Sequence, residues 1–220
     1  MKTAVVACFC EGAVAPADVL QAIHDAVALL RAGQVVAFPT DTVYGVGAHA
    51  FHEEAVRRLY AVKERAAGKA IPILIADVAD LSRVASNIPT AAWQLAECFW
   101  PGGLTLVLPR SPALPDVLTA QGETIAVRCP DHPVPLALIR ELGAPLAVSS
   151  ANLSGHPAPT TADQVAQQLA GRVPLILDGG ECALGVPSTL IDLSVDPPRL
   201  VRAGAVPTDR LLRMLPHLIT

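Results

Sequence analysis

Apolar segments of strand length alternate with amphipathic segments of helix length along most of this chain, and this alternation restricts the folds open to it. The first pair shows the pattern. Residues 16–32 carry apolar side chains at helical spacing and end before Gly33, and residues 35–38 form a short apolar run typical of a buried strand. Strands and helices in alternation predict a mixed α/β domain, with an open twisted sheet and helical layers.

The same reasoning assigns elements along the whole chain. Predicted helices span residues 16–32, 53–64, 89–99, 134–142, 161–171 and 208–215. Predicted strands span residues 35–38, 71–75, 104–108, 124–128, 146–149, 175–177, 189–193 and 200–202. Thr161 and Gln164 form a capping-box pattern at the start of the fifth helix. We expect residues 1–15 to be an N-terminal extension, whose order the sequence leaves open, and residues 16–220 to be one domain.

Composition is typical of a protein from a reducing compartment. Five cysteines are an odd number scattered over 220 residues, which indicates small buried thiols and not a disulfide scaffold. No apolar run approaches the roughly 18 residues that a membrane span needs, and Cys8, Cys10 and Glu11 interrupt any export signal. We therefore expect a cytoplasmic protein with no membrane segment. We expect no structural zinc, because neither the close cysteine pair nor His49 and His52 has further ligands at a suitable spacing.

The charge balance argues against stable, autonomous binding of RNA. The formal net charge is −4 and the aromatic content is 4%. Proteins that grip nucleic acid usually show a basic excess or interleaved aromatic residues. Only three of the 16 basic residues are lysines, and two of them, Lys63 and Lys69, lie within one seven-residue segment.

Three polar segments could carry chemistry, and the first follows the first buried strand. It reads Pro-Thr-Asp-Thr-Val-Tyr-Gly-Val-Gly at residues 39–47. Its Gly45-x-Gly47 matches part of a dinucleotide fingerprint, but six residues separate it from the strand and no acidic residue follows at the required place. Two hydroxyls and a carboxylate between a proline and two glycines favour a small polar ligand. An ordinary glycine-rich connection stays open as the alternative.

The second segment lies at the end of the second predicted helix and contains Lys63, Arg65 and Lys69. Lys63 follows Val56 and Tyr60 at helical spacing, so it continues the inward face of the helix. Basic residues also favour helix C-termini for electrostatic reasons alone. The concentration of rare lysines beside an arginine favours a polyphosphate site, because an ammonium supplies a compact charge and a guanidinium a planar fork.

The third segment, Ser-Ser-Ala-Asn-Leu-Ser-Gly at residues 149–155, leaves a buried strand. Ligands in such sheets gather at the carboxyl ends of strands. A serine nucleophile is disfavoured, since no G-x-S-x-G elbow is present and His156 is too close in sequence to act as its base. We expect these hydroxyls and the amide to hydrogen-bond a ligand.

These three segments, with four others in the same order, resemble the YrdC/Sua5 family of threonylcarbamoyl-AMP synthases. The other matches are Trp-Pro-Gly-Gly-Leu-Thr at 100–105, Ala-Val-Arg at 126–128, Pro-Ser-Thr-Leu-Ile-Asp at 187–192 and Val-Arg-Ala-Gly-Ala at 201–205. The resemblance covers residues 18–212 and implies a YrdC-like fold around a large cleft. It also implies the short form of the family, with a catalytic domain at 16–220 and without a further C-terminal domain.

The resemblance implies a nucleotidyltransferase that joins L-threonine, bicarbonate and ATP, and releases pyrophosphate. Its product, threonylcarbamoyl-adenylate, would be the donor for N6-threonylcarbamoyladenosine in tRNA, installed by a separate threonylcarbamoyl-transferase complex. ATP is then a substrate, and Mg²⁺ is expected to arrive with it and not at a protein-held metal site. tRNA itself would be bound only weakly or indirectly.

Site roles follow by position from the same resemblance. The implied catalytic residues are Lys63, Arg65, Ser150 and Asn152. The implied ATP contacts are Arg65, Lys69, Thr124, Ser150 and Arg202, and the implied threonine contacts are Thr40, Thr42, Arg128 and Ser188. Arg128 is the expected partner of the threonine carboxylate. Two positions depart from the family pattern, since Ala66 replaces a common proline and Leu74 stands where some members have a histidine near the threonine.

Two alternatives come from other functional classes. One is a carbamoyl-transfer module like that of hydrogenase-maturation proteins, which normally lies in a longer chain beside zinc fingers. The other is a non-enzymatic RNA-binding or ribosome-assembly factor, against which the net charge of −4 counts.

Overall fold

A computed structural model of the chain describes residues 2–8, 16–66, 68–183 and 185–220. Within these ranges ten strands form one sheet, and helices pack against it. The strands are β1 (Ala4–Ala7), β2 (Val36–Phe38), β3 (Gly45–His49), β4 (Ile73–Leu74), β5 (Leu104–Pro109), β6 (Thr124–Arg128), β7 (Leu146–Ser150), β8 (Leu175–Asp178), β9 (Thr189–Asp192) and β10 (Arg199–Arg202). The helices are α1 (Pro16–Arg31), α2 (Glu53–Lys63), α3 (Leu81–Val84, after a 3-10 turn at Val78–Asp80), α4 (Thr90–Phe99), α5 (Pro133–Leu142), α6 (Ala162–Leu169) and α7 (Thr208–Met214).

The sheet is mixed and open, with the strand order β1-β8-β2-β3-β7-β4-β6-β5-β9-β10. Strand β8 pairs in parallel with β1 and β2, and further parallel pairs join β4 to β6 and β5 to β9. The other neighbours are antiparallel. The predicted mixed α/β class with an open sheet is confirmed.

Capping residues set the start of several helices. The Thr161 side chain accepts a hydrogen bond from the backbone N–H of Gln164 at the start of α6 (3.3 Å), as the capping-box pattern predicts. The Gln164 side chain reaches back to the backbone N–H of Thr160 (2.8 Å), one residue before the cap. Histidines cap two other helices, since His52 and His132 each accept from backbone N–H groups in the first turns of α2 and α5.

Two apolar clusters lie against the sheet. Helices α1 and α5 pack with β2, β7 and β8 in the smaller cluster, and the larger cluster joins α2, α4, α6 and α7 to the central strands. The strand alternation of β5 and β6 explains how the sheet serves both core and site. Leu106 and Val127, which pair with each other, are buried in the larger cluster, whereas Thr105 and Arg128 point to the opposite face.

Strand β3 was not predicted, because its glycines indicated a connection and not a strand. The structure shows that the glycines serve packing. A Cβ atom on Gly45 would lie 2.7 Å from Val148 Cγ1, and one on Gly47 would lie 2.9 Å from Phe38 Cε1. Neighbouring side chains therefore fill the space that a Cβ would need.

Further differences concern short elements. The sequence did not predict β1, which lies in the segment assigned to an N-terminal extension, or the helical turns between 78 and 84. Residues 9–15 of that segment, including Cys10 and Glu11, lie outside the described residues. Strand β4 is shorter than the predicted strand at 71–75, because the N–H of Ile71 bonds to Leu118 and Pro72 has no N–H. No helix in the described parts of the chain has the length and hydrophobicity to cross a membrane.

Candidate active site

A cleft of about 550 Å³ opens on the face of the sheet that carries Thr105 and Arg128. The turn between β2 and β3 borders one side, and the segment before β9 borders another. Its lining combines hydroxyl, guanidinium and small apolar groups. The lining residues are Thr40, Thr42, Val43, Tyr44, Gly45, Arg65, Pro72, Leu74, Thr105, Ala126, Arg128, Val148, Ser149, Ser150, Ala158, Gly185, Pro187, Ser188, Leu190 and Arg202.

The β2–β3 turn presents two hydroxyls whose directions are fixed. Thr40 Oγ1 donates to the carbonyl of Val43 (2.7 Å) and lies 3.0 Å from Thr42 Oγ1. Because the single proton of Thr40 goes to Val43, the Thr42 hydroxyl donates to Thr40. Both residues are buried beside the cleft.

Arg128 is the cation at the centre of this part of the site. Its guanidinium donates to the carbonyl of Gly102 (2.8 Å), to Thr42 Oγ1 (2.8 Å) and to Asp41 Oδ1 (2.5 Å). Arg128 is 7% exposed and Asp41 is 8% exposed, so the ion pair is buried. Burial lowers the pKa of Arg128, and the Asp41 carboxylate opposes that shift.

Both members of this ion pair keep unused hydrogen-bonding capacity. A guanidinium has five N–H groups, so in the described contacts one remains on each terminal nitrogen of Arg128. Asp41 Oδ2 is buried and finds no partner among the residues that the structure describes. The arrangement can accept a small anion at the cleft surface of Arg128.

A second arginine, Arg202, borders the cleft from β10. Its Nε and a terminal nitrogen donate to the carbonyl of Ser188 (3.1 and 2.8 Å), and that terminal nitrogen also lies 3.2 Å from Ser188 Oγ. Thr105 Oγ1 lies 2.7 Å from the same Ser188 hydroxyl. Burial lowers the pKa of Arg202. The positive charge of Arg202 also lowers the pKa of Arg128, so the two guanidinium groups interact electrostatically.

Lys63 points inward, beneath the end of β7. It is 1% exposed, and its ammonium donates to the carbonyls of Ser150 and Asn152. Burial, with a smaller contribution from Arg65, lowers the pKa of Lys63 to about 8. Asn152 is also turned inward, since its Nδ2 donates to the carbonyls of Leu153 and His156 (2.8 and 2.7 Å).

Arg65 reaches the cleft from the segment after α2. It is half-buried, and it donates from Nε to the carbonyl of Lys69 (3.1 Å) and from a terminal nitrogen to that of Ala70 (2.8 Å). The Tyr60 hydroxyl donates to the same Lys69 carbonyl (2.9 Å). Lys69 itself is exposed.

The structure brings most of the predicted site residues together. Those that line the cleft are Thr40, Thr42, Arg65, Arg128, Ser150, Ser188 and Arg202. Those that do not line it are Lys63, Asn152, Lys69 and Thr124. Thr124 shares a face of β6 with Ala126 and Arg128 by strand alternation, but it lies at the far end of the strand, opposite Pro109.

Three further polar residues of the site were not assigned roles from the sequence. Asp41 pairs with Arg128, and Thr105 contacts Ser188. Tyr44 lines the cleft, and its hydroxyl contacts Asp178 and donates to the carbonyl of Gly180 (2.7 Å). Burial raises the pKa of Tyr44. All three lie in the motifs at 39–47 and 100–105, but only the fold shows their partners.

The polar groups that line the cleft are mainly basic and hydroxyl groups. Across the described ranges, no group of three or more His, Cys, Asp and Glu side chains is placed to hold a metal ion. The buried carboxylate of Asp41 is committed to Arg128. Basic and hydroxyl groups therefore dominate, and these suit carboxylate and phosphate oxygens.

The chain is similar to proteins named threonylcarbamoyl-AMP synthase. That of Bacillus subtilis (strain 168) is 47% identical over 190 residues, which cover 86% of this chain and 55% of that protein. That of Pyrococcus abyssi (strain GE5 / Orsay) is 46% identical over 193 residues, which cover 88% of this chain and 57% of that protein. The chain thus spans little more than half the length of these relatives.

Solved structures and a family model agree with these similarities. The crystal structure of P. abyssi Sua5 complexed with L-threonine matches with a TM-score of 0.92 and 41% identity, covering 99% of this chain and 62% of that one. The Sua5/YciO/YrdC family model, which is described as telomere recombination, matches residues 28–204. The chain therefore belongs to the Sua5/YciO/YrdC family.

Proposed function

We propose that the protein is an L-threonylcarbamoyladenylate synthase, which condenses L-threonine, bicarbonate and ATP and releases pyrophosphate. The observation that carries this proposal is the pair Arg128 and Arg202, held by fixed hydrogen bonds around one cleft. The substrates bring a carboxylate and a polyphosphate, and each needs its own cation. The names of the relatives and the L-threonine in the P. abyssi structure support the same assignment.

The threonine site is proposed at the end of the cleft that contains the β2–β3 turn. Arg128 would bind the carboxylate with its two unused N–H groups, and Thr40, Thr42 and Ser188 would supply hydroxyls around the amino acid. Leu74 pairs in register with Arg128 on the neighbouring strand and also lines the cleft. It offers an apolar contact for the methyl group of threonine.

The nucleotide site is proposed between Arg65, Ser150 and Arg202, all of which line the cleft. Lys69 would join them from the exposed segment after Arg65, and Thr124 from the far end of β6. Lys63 and Asn152, which do not line the cleft, would support these residues from beneath the end of β7. Phosphate oxygens suit this mixture of guanidinium, ammonium and hydroxyl donors.

The proposed reaction depends on the positioning of its substrates and needs no covalent catalysis by the protein. The threonine amine adds to the carbon of CO2 and releases a proton, or adds to bicarbonate and releases water, and in either case forms a carbamate. A carbamate oxygen then bonds to the α-phosphorus, the bond from that phosphorus to the bridging oxygen breaks, and pyrophosphate leaves with that oxygen. Arg65, which lines the cleft, would stabilise the charge that develops on the phosphate oxygens.

The proposal also includes a metal ion, a cellular location and a recipient for the product. Mg²⁺ would arrive with ATP, which the residues of the nucleotide site would hold, and it would neutralise part of the charge of the phosphates. The protein would work in the cytoplasm and pass its product to a tRNA threonylcarbamoyl-transferase complex. The net charge of −4 and the eight aromatic residues suit weak contact with tRNA.

Binding of L-threonine to an Arg128→Lys variant tests the proposed amino-acid site. Lysine keeps the charge beside Asp41 but cannot form the planar fork, so we expect binding at least about tenfold weaker than in wild type. Isothermal titration calorimetry measures both affinities. Arg110→Lys is the control, since Arg110 pairs with the exposed Asp116 outside the cleft and should leave the affinity unchanged. Equal affinities of wild type and Arg128→Lys would contradict the proposed site.

A further inference from the structure

Three hydrogen bonds join the end of α2 to the segment that follows β7. Lys63 Nζ donates to the carbonyls of Ser150 and Asn152, the latter at 2.7 Å. In the opposite direction, the backbone N–H of Ser154 donates to the carbonyl of Lys63 (2.9 Å). The side chain of Lys63 is 1% exposed and is absent from the lining of the cleft.

These contacts serve carbonyls at the point where the chain leaves the sheet, and the carbonyl of Ser150 also accepts from the backbone N–H of Asn152 (2.9 Å). Strand β7 ends at Ser150, and the chain then turns inward at Asn152, which is itself buried. Buried carbonyls without donors are costly, and one ammonium with several N–H groups can serve two of them. Ser150 also lines the cleft. Its backbone carbonyl is therefore bonded to the buried Lys63, while the residue itself borders the space that a ligand would occupy.

We infer that Lys63 is a positioning residue, which fixes the 150–154 segment so that Ser150 lies correctly at the nucleotide site. The part of this inference that names a nucleotide rests on the proposed function. The hydrogen bonds to the segment belong to the protein without ligands. Lys63 thus acts on the reaction through Ser150 and Asn152, and not as a clamp on the phosphates.

The electrostatic surroundings agree with this role. Burial is the main cause that lowers the pKa of Lys63 to about 8, and the neighbouring Arg65 acts in the same direction. A neutral amine keeps two N–H groups and can still donate to both carbonyls.

Amide hydrogen exchange of the ligand-free protein tests the inference independently of the proposed function. The reporters are the backbone amides of Asn152 and Ser154. The first donates to the carbonyl of Ser150, and the second donates to the carbonyl of Lys63. In Lys63→Met we expect both amides to exchange at least about tenfold faster than in wild type, because the segment opens locally once its donors are lost. Amides of β5 should keep their rates.

The matched control is Lys2→Met, since Lys2 is exposed and is the remaining lysine of the chain. It should leave the exchange of Asn152 and Ser154 unchanged. A folded Lys63→Met protein with wild-type exchange at both amides would overturn the inference.

A second variant decides the matter if Lys63→Met does not fold. Lys63→Gln keeps two N–H donors but has a shorter side chain that cannot reach both carbonyls, so we expect the amides of Asn152 and Ser154 to exchange faster than in wild type. Wild-type exchange at both amides in folded Lys63→Gln would overturn the inference.

Discussion

Most polar side chains of the cleft are already fixed by hydrogen bonds before a ligand binds. Arg128 is held by Asp41 and Thr42, and Arg202 is held by Ser188. Donors that are fixed in this way lose little freedom on binding and keep their direction in the transition state. Single residues of the cleft should therefore affect turnover more than folding, except where they form buried ion pairs.

Arg65→Lys tests a residue that lines the cleft and is half-exposed. The variant keeps the charge but loses the planar fork, so we expect turnover to fall at least about tenfold. The free energy of unfolding should change by less than about 1 kcal/mol, since exposed charged groups contribute little to stability. Steady-state pyrophosphate release and urea denaturation measure the two quantities.

Arg57→Lys is the control for Arg65→Lys, because Arg57 lies on the exposed side of α2 beside Glu53 and outside the cleft. It should change neither turnover nor stability. If Arg65→Lys unfolded the protein while turnover per folded molecule stayed normal, Arg65 would be a structural residue.

Asp41→Asn tests the buried ion pair. Removing one charge leaves Arg128 buried without its counter-charge, so the free energy of unfolding should fall by about 3 kcal/mol. L-Threonine should also bind more weakly, because the guanidinium is no longer aligned. Asp116→Asn is the control, since its carboxylate is 72% exposed beside Arg110 and should contribute less than about 1 kcal/mol. If both variants lost the same free energy of unfolding, burial would not be what makes the Asp41–Arg128 pair important for stability.

The lowered pKa of Lys63 predicts how its contribution to stability depends on pH. The folded protein releases the Lys63 proton near pH 8, whereas the unfolded chain releases it near the ordinary value of 10.5. Between these values the unfolded chain binds more protons, so stability rises with pH. The free energy of unfolding of wild type minus that of Lys63→Met should therefore grow by roughly 2–3 kcal/mol from pH 8 to pH 10.5. A difference that is constant or falls over this range would contradict the burial of a titrating ammonium.

Sequence motifs predicted the residues in and around the cleft, but they did not distinguish the side chains that line it from those that turn away from it. Thr40, Thr42 and Arg128 line the cleft as expected, and their threonine contacts remain a prediction. Lys63 and Asn152 turn inward, because they bond to the backbone after β7. The contacts of Lys63 join residues that are almost 90 positions apart, so no local pattern reports them. The contacts of the Asn152 side chain are local, with Leu153 and His156.

At the scale of elements, helices and long strands followed from apolar periodicity, whereas β3 did not. Local propensity disfavours glycine in a strand, yet two glycines in β3 allow close packing against Phe38 and Val148. Strand β1 also escaped prediction, since its four exposed residues are stabilised by pairing with β8, far along the chain. In both cases tertiary contacts override the local signal.

Gly47→Ala tests this packing. The new Cβ would lie 2.9 Å from the Phe38 ring and 3.2 Å from Val148, so we expect the free energy of unfolding to fall by about 1–3 kcal/mol. Gly68→Ala is the control, because its Cβ would meet no atom within 4 Å and its effect should stay within about 1 kcal/mol. Chemical denaturation measures both. Equal stabilities of the two variants would show that β3 does not need its glycines.

At the scale of the whole molecule, the larger apolar cluster packs on one face of the sheet, and the cleft shares the other face with the smaller cluster, so the site rests on rigid strands. The two arginines and the hydroxyls of this face would hold an amino acid and a nucleotide side by side. The net charge of −4 agrees with the proposal that tRNA is bound only weakly or indirectly.

Pyrophosphate release from ATP, in the absence of tRNA, tests the central claim most directly. We expect release to require both L-threonine and bicarbonate, since the carbamate formed from them is the group that attacks the α-phosphorus. L-Serine should support slower release, because a missing methyl group costs about 1–3 kcal/mol in a site that packs it. Release at the full rate without any amino acid, or only after tRNA is added, would contradict the account.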